Sequence, residues 1–277
     1  MATHMSPDSH PTRSQTRIVA PESPFAPAAA DDGLLSFARG IAVMEVFSRH
    51  HAPLSMADIA RRTRLPRATI RRILITLRNL GYVLEIDRKY RLTPKILTLA
   101  QGYLASSGFP AALQPILEDI TAQTGESSSF AVLDGTEIIY VARSAEEKMR
   151  IMSNSLHVGS TLPAYCTSMG RAILAQLPRH RQAAILQASN RLRHTEHTVV
   201  DVDALLKILA ADQANGYSIV NQELETGLCA IAVPVMAHDA GVAGAINIST
   251  HVLRTDPGDV RRTYLPVLQA ALKMIFV

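Results

Sequence analysis

The chain has 277 residues, and this length favours two domains because single domains usually contain roughly 150 residues or fewer. Its apolar fraction of 47% and charged fraction of 19% are ordinary for a folded protein and exclude wholesale disorder. The longest apolar runs, such as Ile231–Met236, are far shorter than the roughly 20 residues that span a bilayer. The N-terminus also lacks the features of a secretory signal. We therefore expect a cytoplasmic protein with no membrane partner.

The cysteines and the charges narrow the chemistry further. Cys166 and Cys229 belong to no CxxC pair and have no suitably spaced histidine, so neither a metal site nor a disulfide framework is expected. Residues 34–92 contain twelve Lys and Arg but four Asp and Glu, whereas the whole chain has a net charge of only +4. A basic module joined to a slightly acidic one predicts that an anionic partner such as DNA binds the first module.

The N-terminal part of the sequence predicts a flexible tail followed by a compact helical module. Residues 1–33 are rich in Pro, Ser, Ala and Thr and have no apolar period that could build a core. Ser55 with Asp58 has the spacing of a helix-capping pair, and Pro66 suits the first position of a helix. Helices are predicted from Leu34, from Ser55 and over 66–80, and a β-hairpin over 82–86 and 89–92.

This order of elements is typical of a winged helix-turn-helix domain over residues 34–93. The third helix would enter the major groove, where arginine reads guanine edges and threonine contacts phosphate. The candidate DNA-contacting residues on this helix and on the wing are Arg67, Thr69, Arg71, Arg72, Arg88 and Lys89. Each arginine alone could equally be a solvated surface charge. Their combination in this order favours binding of double-stranded DNA.

The rest of the chain predicts a helix that links two domains and then an α+β domain. Thr93-Pro94 is typical of a helix start, and residues 94–107 are the predicted linker helix. Residues 108–277 alternate between hairpin-linked strands and helices, which indicates an antiparallel sheet rather than a parallel nucleotide-binding fold. The predicted strands are 128–133, 137–142, 150–156, 217–222, 228–236 and 242–249, and the predicted helices are 110–123, 165–176, 202–215 and 256–276.

Several segments resemble the IclR-type family of transcription regulators. The likeness lies in Ser36–Phe47, Leu65–Arg72 and Tyr90–Pro94, and it continues in Gly159–Ala175 and Gly227–Val235. The resemblance implies an effector-binding domain related to GAF and PAS sensor folds, with a curved antiparallel sheet and flanking helices. It also implies self-association as a homodimer or, through a dimer of dimers, a homotetramer. Within the family, three segments are similar to the branch that controls aromatic-acid catabolism through the β-ketoadipate pathway. These segments are Arg150–Met152, Leu162–Tyr165 and Asn221–Glu225.

The resemblance also places a pocket for a small organic acid. By position it falls on Ala164, Tyr165, Asn221, Glu223, Leu228, Cys229, Asn247 and Ser249. Amide, hydroxyl and helix-start donors suit a carboxylate. Arg150 has two interpretations, as a bidentate partner of the effector carboxylate or as an anchor for Glu146 or Glu147. Each pocket residue also has a structural interpretation; Cys229, for example, is as consistent with core packing as with the pocket.

Other functions have less support in the sequence. A thiol-dependent enzyme would need a nucleophile motif around a cysteine, and no such motif, phosphate loop or paired metal-ligand spacing is present. We therefore expect no catalytic residue, cofactor or metal. A sensor that acts through protein partners would lack the salt-dependent DNA affinity that the basic module predicts. Within the family, activation is the expected mode, and repression of another carbon-source pathway is the alternative.

Overall fold

The computed structural model describes residues 33–48, 50, 52–107, 109–145, 156–237 and 241–275. The chain divides into two compact units, Met1–Ile96 and Leu97–Val277. Nearly all of the predicted tail and residues 150–155 of one predicted strand lie outside the described residues. Within the described ranges, no helix is both long and apolar enough to cross a bilayer.

The first unit contains three helices and a small antiparallel sheet. The helices are α1 (Leu35–Ser48), α2 (Met56–Thr63) and α3 (Arg67–Asn79), and the strands are β1 (Leu54–Ser55), β2 (Val83–Ile86) and β3 (Lys89–Leu92). The sheet has the order β1-β3-β2. Val43, Ile59, Ile70 and Leu74 lie in one buried core with the apolar side of the hairpin. The three helices and the wing confirm the predicted winged helix-turn-helix.

Local sequence signals fix the turns of this unit. The Ser55 side chain accepts a hydrogen bond from the Asp58 amide, and the Asp58 carboxylate accepts one from the Ser55 amide, so the capping box is formed. Arg64 adopts a left-handed conformation between α2 and α3 with a φ of 56°. Asp87 and Arg88 have φ values of 51° and 59°, the signature of a type I′ turn, which places Arg88 at the wing tip. Pro66 immediately precedes α3 rather than opening it.

The second unit is built on one antiparallel six-stranded sheet. Its strands are β4 (Ser127–Asp134), β5 (Glu137–Ser144), β6 (Thr161–Pro163), β7 (Ser218–Asn221), β8 (Leu228–Ala237) and β9 (Gly241–His251), in the order β6-β5-β4-β9-β8-β7. The helices are α4 (Ile96–Ser107), which spans the boundary between the units, α5 (Phe109–Thr124), α6 (Ser168–Ala175), α7 (Arg179–Ala188), α8 (Val202–Asn215) and α9 (Val260–Ile275). This α+β architecture confirms the predicted antiparallel sheet with flanking helices.

The two faces of the sheet bury different sets of side chains. Ile231 and Ile246 point to the face covered by α5 and α9, where they pack with Leu117 and Leu268. Ala232, the next residue after Ile231 on β8, and the strand residues that point the same way lie on the face covered by α6 and α8. Because side chains alternate along a strand, each strand residue belongs to one layer or the other. This parity decides which residues can share a site.

The structure corrects the predicted elements at four places. Residues 165–176 do not form one helix, because Thr167 is extended and caps α6, which leaves a separate 3-10 turn at Ala164–Cys166. The last helix begins at Val260 rather than at residue 256. Helix α7 and strand β6 were not predicted. At the start of α6, a Cβ on Gly170 would lie 2.3 Å from the Ala164 carbonyl oxygen, so only glycine permits this approach.

Candidate functional site

A basic groove lies between α3, the start of α2 and the wing. We call it the arginine groove; its volume is about 780 Å³, and it is lined by Ser55, Met56, Ala57, Arg67, Arg71, Leu74, Ile75, Arg78, Glu85, Arg88 and Tyr90. Arg78 donates to Glu85 over 3.0 Å, so its charge is offset. Arg67, Arg71 and Arg88 are exposed and have no ion pair with any described residue. These three cations are therefore available for phosphate or base contacts.

The other predicted DNA-contacting residues flank this groove. Thr69 and Arg72 lie on the opposite side of α3, where they line a depression against α1. Lys89 is exposed on the wing but does not line the groove. Helix α3 thus presents polar groups along both flanks of its outward side, as a helix does when it is inserted into a major groove.

A second site is a small cavity between the sheet of the second unit and the start of α6. We call it the sheet cavity; its volume is about 30 Å³. It is lined by Tyr140, Leu162, Cys166, Thr167, Ser168, Met169, Val220, Leu224, Leu228, Ala230, Asn247 and Ser249. A volume of roughly 10–15 Å³ accommodates one water molecule, so this space holds about two. Its walls are mostly apolar, with polar groups from β9 and the helix start.

The polar groups of the sheet cavity are only partly satisfied. Asn247 is 3% exposed, and its side-chain amide donates to the Ser249 hydroxyl over 2.8 Å. Its Oδ1 atom is buried and accepts no hydrogen bond from any described residue. Because a buried polar atom without a partner is destabilising, this oxygen is a position at which a ligand donor would be stabilised. Across the cavity, Thr167 caps α6 by accepting from the Gly170 amide.

The ionisable groups that line the sheet cavity are held neutral. Burial raises the pKa of the Cys166 thiol to about 12. Burial likewise raises the pKa of Tyr140 to about 12. Both side chains therefore keep their protons at neutral pH and act as neutral groups. A thiol with so high a pKa is a poor nucleophile, which argues against thiol-dependent catalysis at Cys166.

A buried ion pair joins two walls of the sheet cavity. Arg171 of α6 contacts Glu223 in a bidentate arrangement, with Nη1–Oε1 and Nη2–Oε2 distances of 2.7 Å and 2.6 Å. Arg171 Nε also donates to the Tyr165 carbonyl over 2.8 Å, and Glu223 Oε2 accepts from the Val199 amide over 3.0 Å. Both side chains are at least nine-tenths buried. The pair fixes the helix start, which carries Ser168, against the loop that carries Leu224.

Comparisons with known proteins agree with this geometry. The model of the IclR helix-turn-helix domain matches residues 36–85, and the model of the bacterial transcriptional regulator IclR C-terminal domain matches residues 101–275. The chain belongs to the IclR family of bacterial transcriptional regulators. It is 41% identical over 240 residues to the Pca regulon regulatory protein of Pseudomonas putida, covering 87% of this chain and 82% of that protein.

Further members of the IclR family are also similar. The p-hydroxybenzoate hydroxylase transcriptional activator of Acinetobacter baylyi is 32% identical over 242 residues, covering 86% of this chain and 89% of that protein. The crystal structure of a putative transcriptional regulator from Rhodococcus sp. RHA1 has 39% sequence identity and a TM-score of 0.73. The match covers 88% of this chain and 97% of that chain. The inducer-binding domain of a PobR double mutant from Acinetobacter was solved in complex with 3-hydroxybenzoic acid. It has 31% sequence identity and a TM-score of 0.56, and the match covers 59% of this chain and 95% of that chain.

Within this IclR fold, the sheet cavity includes some of the sequence-predicted pocket residues. Leu228, Asn247 and Ser249 line it. Ala164 and Tyr165 are buried beside it in the 3-10 turn, and the Tyr165 hydroxyl donates to the Leu192 carbonyl over 2.5 Å. Arg150 lies outside the described residues. The cavity and the predicted pocket thus share β8, β9 and the region before α6, but only three side chains.

Three predicted pocket residues are placed elsewhere. Cys229 points to the α5 and α9 face of the sheet, where it packs in the other core. Asn221 pairs with Cys229 in register, so it shares that face and not the cavity face. The Glu223 carboxylate is occupied by Arg171. Because consecutive strand residues point to opposite faces, the sequence alone could have placed Cys229 and Leu228 on different faces of the sheet. The ion pair between Arg171 and Glu223 joins residues 52 positions apart, so no local pattern in the sequence indicates it.

Sequence reasoning missed the nine other lining residues. They are Tyr140, Leu162, Cys166, Thr167, Ser168, Met169, Val220, Leu224 and Ala230. Val220 and Ala230 face each other in register between β7 and β8, so the parity of Leu228 would have predicted both. Leu162 and Thr167 could not be found in this way because no local pattern indicated β6 or the break before α6.

Proposed function

We propose that this regulator binds operator DNA through the arginine groove and its flanks and responds to a small aromatic carboxylic acid bound in the sheet cavity. The DNA-contacting residues in this proposal are Arg67, Thr69, Arg71, Arg72, Arg88 and Lys89. The proposed genes are those of aromatic-acid catabolism, and the proposed mode is activation by a homodimer or homotetramer. The names of the Pseudomonas and Acinetobacter relatives support the pathway. The hydroxybenzoic acid bound to the PobR domain supports the class of ligand.

The observation that carries the effector proposal is the composition of the sheet cavity. Asn247 presents an unsatisfied acceptor, which suits a ligand hydroxyl donor. The opposite wall is the start of α6, where backbone amides and the helix dipole favour an anionic group. Apolar walls from Leu162, Met169 and Leu228 suit an aromatic ring between these polar ends. A hydroxybenzoate has both polar ends on one flat apolar body.

The cavity volume adds a mechanistic step. Ligand pockets usually measure roughly 300–1,000 Å³ for drug-sized molecules, so 30 Å³ is too small for an aromatic acid. Binding therefore requires α6 and the β7–β8 loop to move away from the sheet. A ligand that binds only this opened form shifts the population towards it, and this differential affinity is the proposed source of regulation. The predicted linker helix α4 would carry the change to the DNA-binding unit.

The effector proposal is tested by thermal shift with the full chain. A ligand at 100 times its Kd stabilises the folded protein by about 2.7 kcal/mol, which corresponds to roughly 5–10 °C for a domain of 150–250 residues. We expect such a shift with 4-hydroxybenzoate, 3-hydroxybenzoate or protocatechuate, and none with pyruvate. A shift with pyruvate alone would point to another carbon-source pathway and contradict the aromatic assignment.

A matched variant ties the shift to the sheet cavity. Asn247→Leu keeps the branched shape and the number of side-chain heavy atoms, and it removes the buried unpaired oxygen together with the amide that donates to Ser249. We expect the loss of the unpaired oxygen to offset the loss of that hydrogen bond, so the variant should fold with a similar melting temperature. The ligand-induced shift should fall by half or more. An Asn247→Leu protein that keeps the full shift would place the effector elsewhere. Fluorescence anisotropy with DNA from the region upstream of the gene, with and without the acid, then tests whether ligand binding changes DNA affinity.

A further inference from the structure

Arg143 is a cation on the cavity side of the sheet that the preceding assignments leave unused. It pairs in register with Ser129 of β4, and Ser129 pairs with Asn247 of β9. Side chains of directly paired residues point to the same face, so Arg143, Ser129 and Asn247 form one row across three strands. Asn247 lines the sheet cavity, which fixes the face of the whole row.

The local strand geometry brings Arg143 next to the cavity wall. Phe130 pairs with Ala142 and Ala131 with Tyr140, so Val141 is the extra residue of a β-bulge. The bulge makes Tyr140 and Arg143 neighbours on the same face, and Tyr140 lines the cavity. Adjacent strands lie about 4.8 Å apart, a distance that an extended arginine side chain spans easily. The guanidinium can therefore reach the edge of the cavity over Ser129.

The charge of Arg143 has no counterion among the described residues. No ion pair or side-chain hydrogen bond joins its guanidinium to any of them; outside the strand pairing, its backbone carbonyl accepts a hydrogen bond from the Gln114 side chain. Burial lowers the pKa of Arg143, but an arginine remains protonated in proteins. A half-buried cation is stabilised by an anion that enters its surroundings.

We infer that Arg143 binds the carboxylate of the effector and gives the sheet cavity its preference for acids over neutral aromatic compounds. This inference rests on the proposed function and adds to it the residue that recognises the charge. The planar guanidinium can donate two parallel hydrogen bonds to a carboxylate. In this arrangement the ligand lies along the sheet, with Asn247 of the same row accepting from its hydroxyl, so Arg143 rather than the start of α6 would be the main partner of the carboxylate.

The test compares a charged ligand with its neutral isostere. Isothermal titration of the full chain with 4-hydroxybenzoate and with 4-hydroxybenzamide measures how much of the affinity depends on the negative charge. We expect Arg143→Gln to weaken 4-hydroxybenzoate binding by about 10- to 100-fold, the range for a charge-assisted hydrogen-bonded pair. Binding of 4-hydroxybenzamide should change by less than about twofold, since it lacks the charge. Arg143→Lys should restore part of the lost affinity, because it keeps the charge without the fork.

Arg191→Gln is the matched control. Arg191 is also half-buried, but it donates to the carbonyls of Ser189 and Val200 and lies outside the cavity lining. Its variant should bind both ligands as the wild type does. Equal weakening of both ligands in Arg143→Gln would indicate a structural role, such as an ion pair with Glu146 or Glu147, and would overturn the inference. A charge-selective loss in Arg150→Gln but not in Arg143→Gln would also overturn it.

The same titrations separate this inference from the proposed function. If the wild-type protein binds neither ligand, the aromatic-acid proposal fails, and the inference fails with it. If the wild type binds 4-hydroxybenzoate and Arg143→Gln binds it equally well, the proposed function stands and only the role of Arg143 is wrong.

Discussion

Breaking the ion pair between Arg171 and Glu223 should destabilise the effector-binding unit strongly. Replacing Arg171 by Met removes both bonds to the Glu223 carboxylate and leaves that carboxylate with the Val199 amide as its remaining described partner. Removing one partner of a buried pair is destabilising by about 3–5 kcal/mol, because the other charge stays buried without compensation. For a domain of 150–250 residues this lowers the melting temperature by roughly 6–20 °C.

The second half of this prediction is the double substitution. Arg171→Met with Glu223→Leu removes both charges, so only the Tyr165 carbonyl and the Val199 amide lose bonds to this pair. We expect the double variant to be more stable than Arg171→Met alone, with a coupling energy above about 2 kcal/mol. Urea unfolding followed by circular dichroism gives the free energies of unfolding for this cycle.

An exposed pair provides the control for this cycle. Arg262 and Asp259 of the α9 start are joined by a 3.0 Å salt bridge, with side chains 82% and 50% exposed. Arg262→Met should change the free energy of unfolding by less than about 1 kcal/mol. If Arg171→Met has an effect as small as Arg262→Met, the buried pair does not hold the helix start against the β7–β8 loop. Such a result would contradict the large destabilisation expected when one partner of a buried bidentate pair is removed.

Two further predictions concern the arginine groove and the cysteines. Arg71→Ala should weaken binding of DNA from the upstream region and reduce the slope of log K against log salt concentration by about 0.9. The control Arg262→Ala should leave both the affinity and the slope unchanged. An unchanged slope in Arg71→Ala would show that Arg71 does not contact a phosphate. Burial raises the pKa of Cys166 to about 12 and the pKa of Cys229 to about 11, so both thiols stay protonated at pH 8. Iodoacetamide should therefore label neither cysteine until urea unfolds the chain. Below pH 9 both thiols are protonated in the folded and in the unfolded chain. As the pH rises above 9 the unfolded thiols ionise first, so the free energy of unfolding falls until the pH passes the folded-state pKa values of about 11 and about 12. Rapid labelling of the native protein would contradict the raised pKa values.

The first unit was predictable because its signals are local. The Ser55 and Asp58 cap, the three- and four-residue apolar spacing of α3 and the polar turn at Asp87 all lie within a few positions of the structure they determine. The alternation that marks β8 and β9 is local as well, and it placed both strands almost completely. Hence the fold class and the position of the predicted recognition helix followed from sequence alone.

The effector site was less predictable because its key relations are not local. Glu223 was assigned to the pocket by its position in the family resemblance, but its partner Arg171 is distant in sequence and lies on another element. Cys229 was assigned with Leu228, although consecutive strand residues point to opposite faces. The role of Arg143 depends on the β5 bulge, and a bulge changes the parity of a strand without a clear composition signal.

These relations also constrain how the sheet cavity can open. The Arg171–Glu223 pair joins α6 to the β7–β8 loop, and the absence of a side chain at Gly170 lets the start of α6 lie directly against Ala164. If the cavity opened by separating Arg171 from Glu223, two buried charges would lose their partners, which is strongly unfavourable. A motion that keeps the pair together, with the helix start and the β7–β8 loop moving as one body, therefore costs less. The sheet face that carries Asn247 and Tyr140 would then be the fixed wall. If Arg143 binds the carboxylate as inferred, it would contact the ligand from the fixed side, and the ligand would push the α6 side away from it.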